Sequence, residues 1–166
     1  MGNIREIQEY VLCLVVEHGH LVLGEATEPM GYRAGKLVGP TGLALPNFNA
    51  GERVRYYCLN DMKIHATNFE LVAQKHYERP SSAYDVLVHI YRVNRYDGLP
   101  NDTKRLRNVT FYPITALPFE RMFSDDQYWL MDVISGREYP HLTFRAEGSE
   151  SEAVLITKRN LRPVPA

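Results

Sequence analysis

The chain is poor in cysteine, in tryptophan and in net charge. Its 166 residues include two Cys and one Trp, and 19 basic side chains against 20 acidic ones leave a formal charge of −1. Cys13 and Cys58 sit inside apolar stretches without paired spacing, which excludes a disulfide framework or a thiolate zinc site and reads as reduced core thiols. A near-neutral chain has no broad basic footprint, so a duplex nucleic acid gripped by its phosphates is not the expected partner. The longest apolar run, Val11 to Val16, is far too short to span a bilayer. The N-terminus lacks a basic start and a small-residue cleavage site, and the expected location is the cytoplasm, away from membranes. Neither an internal repeat nor a low-complexity segment interrupts the chain.

What is present is an apolar fraction of 45%, enough for one core that folds without staples. A single domain over residues 1–160 with a tail at 161–166 is the expected organisation. Tyr10 to Val16 is continuous and β-branched and is followed by a second run, Leu21 to Leu23, which predicts a hairpin feeding a buried sheet. His18 and His20 fall in its turn and read as solvated polar sequence. Gly24 to Pro46 carries Gly and Pro at close intervals and predicts a long ordered loop. From Asn49, a capping residue, Val54, Tyr57, Cys58 and Met62 recur at helical spacing up to Lys63. Strands are predicted at 68–74, 86–93 and 109–112, with turns at 79–82 and 97–100. Ser124 and Gln127 have the spacing of a capping box and predict a second helix through Trp129, Leu130, Val133 and Ile134, ending at Gly136. A last hairpin is expected from Leu142–Phe144 and Ala153–Ile156.

This order of elements resembles the Nudix family, and two segments carry the likeness. Counting from Gly42, the Nudix box aligns Phe48 with its first Glu, Tyr56 and Tyr57 with Arg-Glu, Cys58 with the apolar position, Asn60 and Asp61 with Glu-Glu, Lys63 with the last Gly, and Ile64 with the final apolar residue. The segment Leu117 to Trp129, together with Gly31, Tyr32, Ala34 and Gly35, is similar to the corresponding parts of mammalian-type 8-oxo-dGTP diphosphatases (MutT-like). The resemblance implies an α/β fold, a mixed β-sheet in an α/β/α sandwich. It implies a purine pocket with Phe123, Asp125 and Asp126 at the base and Tyr32 on the wall, with Lys36 at the loop mouth as a phosphate candidate. Two adjacent Asp residues in a helix's first turn also have an ordinary reading, as charges favoured by the helix dipole.

The box departs from its pattern where chemistry is concentrated. Carboxylates one turn apart on a helix converge on Mg²⁺, and only Asp61 remains of that set. Glu52, nine positions earlier, lies about half a turn round the helix and cannot share an ion with Asp61. A further acidic position aligns near Leu106, among Lys104, Arg105 and Arg107, which could meet phosphates in place of a metal or face solvent. The expectation is therefore a protein that binds a nucleotide or modified purine, weak or inactive as a diphosphatase, with no assigned catalytic residue and no cofactor. An active hydrolase using Glu25, Glu28 or Asp61 with Mg²⁺ is the first alternative. The second is an interaction module whose Tyr56 and Tyr57, in place of a charged pair, either fill the old cleft or meet a protein partner or second copy.

Overall fold

The computed structural model describes residues 6–137, 139–145 and 154–160. The predicted tail at 161–166 and Ala153 lie outside these residues. The first strands are β1 (Glu6–Glu17), β2 (His20–Ala26), β3 (Leu37–Val38) and β4 (Thr41–Leu43), followed by helix α1 (Ala50–Met62). Strands β5 (His65–Glu78), β6 (Tyr84–Asp97) and β7 (Leu106–Pro113), a short helix α2 (Leu130–Ile134), and strands β8 (Pro140–Arg145) and β9 (Val154–Asn160) complete the order. One mixed sheet runs β3-β2-β1-β6-β5-β8-β9, with β4 added to β1 and β7 to β2. The β1–β6 and β5–β8 pairs are parallel.

The continuous apolar run of β1 follows from burial on both faces. Val11, Cys13 and Val15 pack under α1 with Val54, Cys58 and Met62, while Leu14 faces the opposite core around Trp129, Leu130 and Val133. Cys13 and Cys58 are adjacent, and the hydrogen bond to Cys58 and burial hold the Cys13 thiol well above its ordinary pKa. Both are free thiols, as the sequence predicts.

β1 also divides one edge of the sheet. Val15 to Glu17 pair with β2, whereas Tyr10 to Leu12 pair with β4. Between these stretches the chain of the loop reaches the sheet, where the Cys13 amide donates to Pro40 O at 2.8 Å. A Cβ on Gly39 would overlap the Cys13 carbonyl, so this approach needs glycine. The long loop expected over Gly24 to Pro46 is thus partly structured: β2 extends to Ala26, Glu28–Arg33 forms a 3₁₀ turn, and β3 follows.

Helix α1 begins and ends as the sequence predicts. Asn49 accepts from the Glu52 amide at 2.9 Å and the Glu52 carboxylate accepts from the Asn49 amide at 3.3 Å, a complete capping box. Lys63 closes the helix in the left-handed region.

The second helix differs from expectation. Residues Asp126–Tyr128 form a 3₁₀ turn and α2 covers only Leu130–Ile134. Gln127 Nε2 donates to Ser124 O at 2.9 Å, and Asp125 rather than Ser124 precedes the turn, without a side-chain capping bond. The reason is tertiary: Asp125 is drawn inward to buried donors, which sets the backbone before a regular first turn can form. Gly136, with φ +76°, ends the helix as predicted.

Candidate functional site

A cavity opens on the sheet face opposite α1. Its walls are Tyr10, Leu12 and Leu14 of β1, Arg33 of the 3₁₀ turn, Val38 of β3, Thr41 of β4, Val86 and Val88 of β6, and Met122, Phe123, Asp126 and Trp129 of the segment before α2. Its volume is about 60 Å³. Mostly apolar walls with a few convergent polar groups are the usual make-up of a small-molecule site.

The floor contains Lys75 and Tyr77, and a bulge puts them there. The β5–β6 register slips between Leu71 and Ala73, so Phe69 pairs opposite Val93 on the α1 side while Lys75 pairs opposite Val88 on the cavity side. Lys75 is 4% exposed and donates from Nζ to Asp125 Oδ2 at 3.1 Å, with Asp126 Oδ1 at 3.8 Å. Its ammonium lies 4.9 Å from the Trp129 ring centre and 5.3 Å from that of Tyr77.

Asp125 and Asp126 therefore have different surroundings. Asp125 is fully buried and its Oδ2 accepts from Lys75, from Tyr77 OH at 3.1 Å and from Trp129 Nε1 at 3.2 Å. Its Oδ1 is buried without a hydrogen-bond partner among the described residues. Asp126 lines the cavity. Burial pushes its carboxyl up to about 7, the nearby Lys75 pulling down and Asp125 pushing further up.

Phe123 also lines the cavity. The backbone of Tyr32 belongs to the 3₁₀ turn, and its side chain lies outside the described residues. Lys36 is half-buried in the loop, its amide bonded to Arg33 O. The cation on the cavity wall is Arg33, whose guanidinium stacks 5.0 Å from the Tyr10 ring centre. Sequence patterning points to neither Arg33 nor Lys75. A lysine two residues before a buried Tyr in a β-rich stretch is the available signal, but the strand predicted there stops at Gln74.

The box helix presents a second cluster. Asp61 is fully buried, and its two oxygens are engaged separately: Oδ1 accepts from Arg105 Nε at 2.6 Å and Oδ2 from the Thr41 amide at 3.0 Å. Arg105 also donates from Nη2 to Thr41 O at 2.7 Å. Burial raises the Asp61 carboxyl, against the pull of the Thr41 amide and Arg105. Tyr57 is 5% exposed, donates from its hydroxyl to Leu43 O at 2.5 Å, and packs against Gly42, where any Cβ would overlap its ring. The two tyrosines, expected to fill the old cleft or to meet a partner, differ in exposure: Tyr57 is core and Tyr56 is 41% exposed, edge-on to both Phe48 and Tyr57. Asn60 turns back to donate to Tyr56 O at 2.8 Å. Glu25 is paired with Arg107 at 2.7 Å, and Glu28 is exposed. Among the described residues, no group of three or more His, Cys, Asp or Glu side chains is arranged to hold a metal ion.

This architecture matches solved MutT and Nudix structures. The MutT protein of Bacillus halodurans superposes with a TM-score of 0.71 over 92% of this chain and 96% of its own, at 16% identity. This is a Nudix fold. The MutT protein of Methanosarcina mazei gives a TM-score of 0.63 over 81% of this chain and 95% of its own, at 15% identity. In sequence the chain is MutT-like: it is 26% identical over 118 residues to the oxidized purine nucleoside triphosphate hydrolase of Danio rerio, covering 71% of this chain and 74% of that protein. No protein-family model matches. Among the described residues of this Nudix-fold chain, no helix is long and apolar enough to cross a membrane.

Proposed function

We propose that this Nudix-fold chain binds a nucleotide or modified purine and is weak or inactive as a metal-dependent diphosphatase. The observation that carries the reading is Asp61. The remaining carboxylate of the box is enclosed, with a guanidinium on one oxygen and a backbone amide on the other. Mg²⁺ needs several oxygen ligands in near-octahedral order, and a fixed cation 2.6 Å from the one available carboxylate opposes a dication. Tyr57 and Asn60, at neighbouring box positions, supply a phenol and an amide committed elsewhere. The donor set does not fit the metal. The cavity supports the binding half of the reading, with Phe123 on its wall and Asp126 as an ionisable hydrogen-bonding group within it.

The test is a thermal-shift panel of purine and pyrimidine nucleotides, 8-oxo-dGTP included, with and without Mg²⁺. A purine at about 100 times its Kd should stabilise the chain by roughly 2.7 kcal/mol, equally in both conditions. Stabilisation that requires Mg²⁺ would restore the active-hydrolase alternative. No shift from any nucleotide would discard ligand binding.

Asp126 also gives the fold a pH dependence. Its folded pKa of about 7 stands above the ordinary Asp value, so between those values the folded state holds the extra proton. Stability from this group is fully present in acid and is lost as pH rises through the folded value; each tenfold difference in proton affinity is worth about 1.4 kcal/mol. Asp126→Asn should flatten that decline in urea midpoints measured across the range. A variant as pH-sensitive as the parent would show that another group is responsible.

The partner reading keeps one observation. Tyr56, Leu43 and Leu59 are exposed apolar side chains on or near the outer side of α1. A second copy docking there predicts a concentration-dependent dimer weakened by Tyr56→Asp. A single monomeric species in sedimentation velocity at all concentrations would remove the homodimer.

A further inference from the structure

The cavity floor is a lysine, and that determines which ligands fit. An ammonium carries donors and no acceptor. Lys75 lines the cavity while only 4% exposed, near the rings of Tyr77 and Trp129, and is held there by its bond to Asp125 Oδ2. Several other polar groups around it are committed within the protein. The Thr41 hydroxyl donates to Val11 O at 2.7 Å, and Tyr77 OH donates to Asp125. The apolar side chains of Leu37 and Val38 close the loop side.

We propose that Lys75 is the specificity determinant of this cavity, selecting purines that carry an exocyclic oxo group over those that carry an amino group. This rests on the purine-binding reading. The exocyclic atom protrudes from the ring edge and is the part of the base that can reach the buried ammonium. An oxo oxygen there accepts from the ammonium in a charge-assisted hydrogen bond. An amino group at the same place sets donor against donor and gains no bond from the ammonium, which keeps its own bond to Asp125. Asp126, 3.8 Å from the Lys75 nitrogen, lies within reach of the neighbouring ring atom. Arg33, also in the cavity lining, gives the ligand's anionic end a second cation.

The experiment is calorimetric titration with inosine monophosphate and adenosine monophosphate, which differ at this exocyclic group, in EDTA at one fixed pH. The parent chain should bind the inosine nucleotide about tenfold more tightly or better. Lys75→Arg, still a donor-only cation, should keep the preference. Lys75→Met alone strands a buried carboxylate, so it is paired with Asp125→Asn to keep the charge balance; this double variant should bind the two nucleotides alike. Equal binding of both nucleotides by the parent, or a preference surviving in the double variant, overturns the role of Lys75 and leaves purine binding standing. Binding of neither nucleotide by the parent overturns the purine-binding reading and this inference with it.

Discussion

Replacing Arg105 with methionine should cost about 3–5 kcal/mol, the usual penalty for stranding one member of a buried ion pair. Asp61 is fully buried, and Arg105 is its counter-charge at 2.6 Å. The Thr41 amide satisfies its other oxygen but brings no formal charge. The same substitution frees Thr41 O and uncovers the Tyr57 ring, over which the guanidinium lies at 5.9 Å. Adding Asp61→Asn should return most of the loss, because the amide leaves no unpaired charge. Urea unfolding of the two single variants and the double variant forms a closed cycle. A single-variant cost under about 1 kcal/mol would mean that water reaches Asp61 and that the pair behaves as a surface salt bridge. That outcome would also weaken the argument that Arg105 stands in the way of a metal.

Asp125→Ala should be about as damaging, and for a reason unrelated to ligand. It removes the acceptor shared by Lys75, Tyr77 and Trp129 and leaves the buried ammonium with the more distant Asp126 carboxylate at 3.8 Å. A loss of about 3–5 kcal/mol is expected. Asp126→Asn at the adjacent position should fold normally and lose ligand affinity. The neighbouring aspartates thus separate into one that is buried against Lys75, Tyr77 and Trp129 and one that lines the cavity. The comparison needs both a stability and a binding measurement, since ligand loss in Asp125→Ala alone would be ambiguous. Near-native stability of Asp125→Ala would contradict the assignment of Asp125 to the core.

Much of the scaffold is legible in local sequence. The β1–β2 hairpin, the capping box at Asn49, the stop at Lys63 and the three central strands follow from apolar periodicity and capping residues, which act over a few positions. The segment before α2 departs from its local signal because that signal is outweighed. Ser124 and Gln127 have the spacing of a box, but Asp125 has three stronger partners 48 to 50 residues earlier or at Trp129. Local capping is worth about a kilocalorie per mole, and a buried charge cannot be left unpaired for that gain.

The sequence by itself determined the first hairpin, the capped helix and the scarcity of carboxylates at the aligned box positions, each a matter of residue type and of spacing along one element; the α/β class and Phe123, Asp125 and Asp126 as the residues to watch came from its resemblance to the Nudix family. Only the tertiary structure decided that Asp61 is enclosed by Arg105, that Tyr57 is core while Tyr56 is exposed, and that Lys75 sits under the aspartates. Arg105 lies 44 residues from Asp61, and Lys75 lies 50 residues from Asp125. Lys75 reaches the cavity face because a bulge changes which side of β5 its residues face, and alternation along a strand cannot report where its own phase breaks.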